Sequence, residues 1–357
     1  MRVFLTGATG FIGNAVARAL ARAGHDVTGL VRKSEQGASL ARHEVGSVVG
    51  TLQTPASWRD AAARCQIFVH CAADYATDTT AVDDKTVDTF LELVQADGRL
   101  FVYTSGVWVL GDTRGVAVDE TAPLAPPAKV KARVQTEARI LAAATAKRRT
   151  LVLRPGCVYG GSGSLTALWF DSAAREGAAQ IVGDGENHWA ARPANCRVTR
   201  GFSKPVGRRC PRGPGGPRDT AHRGPRCRPA RSAGPGLRPD RGPRWAMVHR
   251  GDLADCYVRA VESACWGEVF HIADPSRDAI RACAAAAGRA VGAEGHVVSV
   301  SVAEASKRFG AMAECLALDQ QVDAGKAARW LGWQPRARGF IAGAERYAAA
   351  WRAHGKG

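Results

Sequence analysis

Short apolar runs alternate with longer amphipathic stretches along the first half of the chain. The run VFLTG, residues 3–7, has the length of a buried strand. Residues 11–24 follow with helical spacing and stop at Gly24. Residues 25–33 and 65–73 form two further strand-like runs, the second mostly apolar. Residues 82–98 place Val87, Phe90, Leu91 and Val94 on one face of an amphipathic helix. Residues 99–106 then predict a strand, 130–146 a helix and 150–160 another strand. Strands that alternate with helices pair in parallel through right-handed crossovers, and largely apolar strands need cover on both faces. The pattern therefore predicts a doubly wound parallel α/β sheet.

The alternation breaks once. Residues 191–245 hold fourteen arginines, one lysine and two aspartates, so they carry +13 of the chain's net +16. They also hold ten of the seventeen prolines and almost no large apolar side chains. Such a composition cannot offset its ordering entropy, and its prolines interrupt any helix or inner strand. Residues 191–246 are therefore expected to be a disordered basic Pro/Arg/Gly-rich insertion. Joining His188-Trp189-Ala190 directly to Met247 gives a continuous strand–loop–helix pattern. The charge also suits a nucleic-acid arm, but aromatic side chains to stack on bases are almost absent, so no nucleic-acid partner is expected.

The remaining composition narrows the class. No run of about 18 apolar residues is present, so no membrane span is expected. The start of the chain has no separate apolar region with a cleavage site, as a secretory leader would. The ten cysteines are scattered without a C-x-x-C pair, which suits reduced thiols in a cytoplasmic protein. No His/Cys/Asp/Glu cluster has metal-ligand spacing, so no metal is expected.

Candidate chemistry begins at TGATGFIG. Gly7, Gly10 and Gly13 sit three apart, after a strand and at the start of a helix. In that context glycine allows a tight turn, close approach of a pyrophosphate and close helix packing. The helix front offers free N–H groups and partial positive charge to phosphates. A Rossmann-like dinucleotide site is expected, with Gly7, Thr9, Gly10, Phe11, Ile12 and Gly13 in its loop. The second strand ends in Arg32-Lys33 where an acid would favour NAD, and two cations suit a 2′-phosphate, so NADP is favoured over NAD.

Further along lie HCAA (His70–Ala73), YTSG (Tyr103–Gly106), RPGCVYG (Arg154–Gly160), VHRGDLAD (Val248–Asp255) and KAARWLGWQP (Lys326–Pro335). With TGATGFIG, these pieces resemble the extended short-chain dehydrogenase/reductase superfamily, in particular its NAD-dependent epimerase/dehydratase branch. The resemblance implies Ala72 and Ala73 beside the adenosine side of the dinucleotide, and Pro155 through Val158 beside the nicotinamide. It also implies an adenine-binding Asp after the third strand, where this chain has Leu52. A homodimer built through the helices around 83–96 and 130–146 is implied as well.

That family uses a Ser or Thr to hold the substrate oxygen, a Tyr to move the proton and a Lys to lower the Tyr pKa and hold the ribose. Counting five residues back from Gly111 puts Gly106 at the Ser/Thr position, next to Ser105. Aligning on Glu137 puts Arg133 at the Lys position and Lys129 at the Tyr position. All three positions are changed. Ser105, Lys129 and Arg133 are the replacement candidates for catalysis. Tyr159 and His70 are expected to be packing residues, and His249 with Asp252 a turn-and-cap pair. Arg192 and Arg250 are candidates for a substrate diphosphate.

The expected organisation is a dinucleotide-binding domain over 1–170, a smaller substrate lobe over 171–190 and 247–357, and the insertion between. The expected function is an NAD(P)-dependent epimerase/dehydratase-type oxidoreductase acting on a sugar-nucleotide or small carbonyl compound. A small aldehyde or ketone reductase, and a non-catalytic NAD(P)-binding sensor or scaffold, are the alternatives.

Overall fold

The computed structural model describes residues 1–73, 79–95, 98–161, 163–183 and 242–354. Arg192 and most of the basic segment lie outside these residues. The opening strands are β1 (Arg2–Thr6), β2 (Asp26–Val31), β3 (Gly46–Val49), β4 (Ile67–His70) and β5 (Leu100–Thr104). They are followed by β6 (Ala117–Val118), β7 (Arg149–Pro155), β8 (Cys157–Tyr159) and β9 (Ala179–Val182). The last four are β10 (Met247–His249), β11 (Glu268–Ile272), β12 (Val297–Val300) and β13 (Gln321–Val322).

Seven of these strands form one sheet in the order β11-β7-β5-β4-β1-β2-β3, with every pairing parallel. The chain starts in the middle, winds out to β3, then returns to β4 on the other side of β1. The strand order reverses between β1 and β4, and a crevice opens at such a point beyond the strand ends.

Helices cover both faces. They are α1 (Phe11–Arg22), α2 (Ser34–Ala41), α3 (Arg59–Ala63), α4 (Thr79–Leu93), α5 (Lys131–Ala142), α6 (Ala167–Glu176), α7 (Arg250–Glu262) and α8 (Ile280–Val291) among others. Side-chain alternation along β1 explains the two-sided core. Val3 and Leu5 join a cluster with Val16 and Leu20 of α1 and Leu253 and Tyr257 of α7. Phe4 points the other way, into a cluster with Trp58, Phe90 of α4 and Ile140 of α5. The Phe90 ring lies 5.2 Å from Trp58 and 5.4 Å from Phe68. Each such pair adds about 0.5–1.5 kcal/mol beyond its buried area.

Two expectations change. Residues 150–160 were one predicted strand but form two, because the chain leaves the main sheet at Gly156. A Cβ there would lie 2.4 Å from the Ala246 carbonyl oxygen, and Cys157 N donates to that oxygen at 2.7 Å. β8 then pairs with β10. The close approach comes from residues far along the chain, so local pattern could not show it.

The second change concerns residues 242–246, which the sequence pattern groups with the basic insertion. They are folded. Arg244 N donates to Asp319 Oδ1 at 2.9 Å, and Ile280 N donates to Pro243 O at 2.9 Å. Trp245 is buried and stacks on Trp169 at 5.3 Å, beside Phe340, in a hydrophobic cluster separate from the two that flank the sheet. Composition averaged over the segment hid this one anchoring aromatic.

Candidate active site

β1 ends at Thr6 and the chain turns through Gly7, φ +75°, into α1. A Cβ on Gly7 would lie 2.8 Å from Ala72 N, just past β4. A Cβ on Gly13 would lie 2.1 Å from the Gly7 carbonyl oxygen. The turn is thus closed against both β4 and its own helix, a fit that only glycine permits. Gly10 is the N-cap of α1 and donates its N–H to Gly7 O at 2.9 Å. No side chain caps α1 and no acid stands in its first turn. The amides of Phe11, Ile12 and Gly13 are therefore left for an outside acceptor.

Thr9 and Gly10 are exposed at the lip of this turn, and Ala72 and Ala73 are half-buried past β4. Arg32 and Lys33 are exposed at the end of β2, with their backbone N–H groups both given to Gln36 Oε1 at 3.0 and 3.2 Å. Leu52 is half-buried in the turn after β3. Pro155 and Val158 are buried on β7 and β8. Amide donors without acceptors, in a cradle that a Cβ would fill, fit the linked phosphates of a dinucleotide.

The catalytic candidates lie around the end of β5. Ser105 is 5% exposed and its N–H donates to Leu153 O at 2.8 Å. Its hydroxyl is buried without a partner. A buried hydroxyl left unpaired costs about 1–3 kcal/mol. Arg133, on α5, donates through Nη1 to the carbonyl of the adjacent Thr104 at 3.3 Å. The structure thus brings Ser105 and Arg133 to the same strand end. Lys129 is exposed on the turn Ala128–Val130, and its charge acts on the Cys315 thiol.

Three polar networks around this corner were not legible in the sequence. Thr104 Oγ1 lies 2.5 Å from the Tyr257 hydroxyl and 3.3 Å from Cys71 Sγ. Burial pushes the Cys71 thiol up to about 11 and the Tyr257 hydroxyl well above its usual value. His70 lies 2.6 Å from Thr6 Oγ1 through Nδ1 and 2.9 Å from Asp83 Oδ1 through Nε2, and Tyr103 donates to Asp83 Oδ2 at 2.7 Å. Burial alone would raise the Asp83 carboxyl, but His70 and Tyr103 outweigh it and hold it below the usual range. Below them Arg154 of RPGCVYG forms a buried ion pair with Glu137 of α5 and lies 3.5 Å from His271 Nε2. Burial, then the Arg154 charge, lowers the His271 imidazole to about 4.

Tyr159 is fully buried, donates to Asp274 Oδ2 at 2.8 Å and packs on Phe340 and Tyr347. His249 is the N-cap of α7, accepting from Gly251 N at 3.2 Å, and Asp252 Oδ2 accepts from Ala337 N at 2.9 Å. A separate cavity of about 450 Å³ lies past β11, lined by Asp274, Gln321, Asp323 and Trp333, and no predicted site residue lines it.

The model of the NAD-dependent epimerase/dehydratase family matches residues 3–190, more than half of the chain. The chain belongs to that family. An uncharacterized protein of Schizosaccharomyces pombe is 25% identical over 341 residues, 94% of this chain and 95% of that protein. The 4-hydroxy-2-methyl-3-oxo-4-farnesyl-3,4-dihydroquinoline-1-oxide ketoreductase of Stigmatella aurantiaca is 32% identical over 170 residues, 45% of this chain and 51% of that enzyme. Among solved structures, the dTDP-glucose 4,6-dehydratase of Bacillus anthracis, in complex with NAD, superposes with a TM-score of 0.71 at 15% identity, over 100% of this chain and 98% of that one. The sheet order and the glycine cradle agree with membership of this family of nicotinamide-dependent enzymes. No described helix is long and apolar enough to cross a membrane.

Proposed function

We propose that this protein is an NAD(P)-dependent oxidoreductase of the epimerase/dehydratase type, acting on a sugar-nucleotide or a small carbonyl compound. The observation that carries this reading is the glycine cradle at the front of α1, closed so tightly that only glycine fits and left without a side-chain cap, in a chain that the family model matches over residues 3–190. The ketoreductase likeness over 170 residues supports a carbonyl substrate.

The amides of Phe11, Ile12 and Gly13 would hold the cofactor's diphosphate, and Ala72 and Ala73 would flank its adenosine side. Arg32 and Lys33 are free of carboxylate partners among the described residues, which favours NADP over NAD. Pro155 and Val158 would stand beside the nicotinamide. When bound, that ring exchanges a hydride with a substrate carbon. The Ser105 hydroxyl would hydrogen-bond the substrate oxygen, keeping its own proton. Arg133, whose guanidinium donates to the Thr104 carbonyl beside Ser105, would stabilise negative charge growing on that oxygen. Proton delivery is left to the exposed Lys129 and to solvent.

A non-catalytic cofactor sensor is the second reading, favoured by one observation. Tyr103, Tyr159 and Tyr257 all spend their hydroxyls inside the protein, so no one of them is free to replace the missing acid.

Calorimetry with oxidised and reduced NAD and NADP, followed by turnover on a panel of nucleotide-sugars, ketones and aldehydes, separates these readings. The expected result is tighter NADP binding and measurable turnover, reduced about 100-fold in Ser105→Ala with cofactor affinity unchanged. Binding with no turnover on any substrate establishes the sensor instead.

A further inference from the structure

Arg250 is the first residue of α7, and α7 packs along α1. Its guanidinium lies over the ring of Phe11, 5.1 Å from the centroid. Phe11 is the first residue of α1, so this charge from a distant stretch of chain stands at the dinucleotide cradle. From the other side the loop after β8 closes on it. A Cβ on Gly161 would meet Arg250 Cζ at 2.7 Å, and a Cβ on Gly163 would meet the Phe11 ring at 2.9 Å. Two glycines thus make room for the stacked pair.

The charge is not neutralised where it stands. No carboxylate lies within ion-pair distance of Arg250 among the described residues, and the other cation acting on it is Arg18 of α1. Asp252, in the same first turn of α7, is turned away to the Ala337 amide. Burial and Arg18 both disfavour the charged form. A half-buried guanidinium kept beside a second cation, without an acid, is unfavourable until an anion reaches it. Its face rests on Phe11, and its N–H edge provides donors for phosphate oxygens.

The geometry points to Arg250 as a clamp on the diphosphate of the bound dinucleotide, opposite the amides of α1. This inference rests on the cofactor reading above. It assigns to the cofactor a residue that the sequence pattern had offered to a substrate, because Arg250 stacks on a residue of the cradle itself.

The test is calorimetric titration of wild type, Arg250→Met and Arg250→Lys. The ligands are NADP, NAD, ADP-ribose, which keeps the diphosphate but lacks nicotinamide, and a UDP-sugar. Thermal melts check folding, and Arg250→Lys keeps the charge if the Met variant does not fold. The expected result is a loss of about tenfold in affinity for all three cofactor-type ligands in Arg250→Met, and a smaller loss in Arg250→Lys, whose ammonium cannot reproduce the two-pronged donor. Unchanged affinity for ADP-ribose in the variants overturns the assignment while leaving the cofactor reading intact. A loss confined to the UDP-sugar overturns it in favour of a substrate contact. Failure of wild type to bind any dinucleotide overturns the cofactor reading, and this inference with it.

Discussion

The glycine cradle after β1 and the corner at the end of β5 lie on either side of β4 in one sheet but are specified in different ways. The cradle is specified by the absence of side chains. Gly13 and Gly7 are required by contacts of 2.1 and 2.8 Å to backbone atoms, and any substituent collides whatever its chemistry. The corner is specified by side-chain identity. Ser105 is buried there and Arg133 reaches the Thr104 carbonyl from α5, so what the corner offers depends on which side chains meet. A backbone site is therefore read from spacing alone, while a side-chain site depends on which residues the fold brings together.

The largest expected effect breaks the cradle side. Gly13→Val should abolish measurable dinucleotide binding in calorimetry. Gly24→Ala should retain it at some cost in stability, because Gly24 has a φ of +82° that disfavours alanine but nothing within 4 Å of its absent Cβ, and it lies away from the turn. Retained binding in Gly13→Val would show that the cradle is not the site.

The next test strikes the base of the corner. Glu137→Ala removes one partner of the buried pair with Arg154, whose side chains are 2% and 5% exposed. An uncompensated buried charge should cost about 3–5 kcal/mol, read as a lower denaturant midpoint. A loss well under 1 kcal/mol would mean that water reaches Arg154.

The smallest effect concerns pH. His271 is fully buried, with its imidazole lowered to about 4 by burial and by Arg154. Between about pH 6.5 and 4 the unfolded chain binds a proton there that the folded chain does not. Stability should be unaffected by this group at neutral pH and fall by up to about 3 kcal/mol as pH drops through that window. His271→Gln should flatten this part of the stability profile, and an equally steep profile in the variant would assign the effect to other groups.

Much of the fold was legible because strand and helix periods are local. The runs at residues 3–7, 25–33 and 65–73 became β1, β2 and β4; of the predicted apolar face, Val87 and Phe90 are buried on α4, Leu91 is half-buried and Val94 is buried just past the helix end. The glycine turn was legible for the same reason, since strand, turn and helix are neighbours in the chain. The split of residues 150–160 and the anchoring of Trp245 were not, since both depend on contacts across the fold. The link from Thr104 to Tyr257 joins residues 153 apart, and no spacing rule connects them.

By itself, then, the sequence determined the sheet-and-helix alternation, the glycine turn and the family. Each follows from spacing between near neighbours, where backbone sterics and hydrophobic period act directly. The tertiary structure alone decided that the Ser105 hydroxyl is left unpaired, that Arg133 is held by the Thr104 carbonyl, and that Arg250 is stacked on Phe11. Those facts depend on which side chains meet after the chain has wound back on itself. Packing sets those meetings, and local pattern holds no record of them.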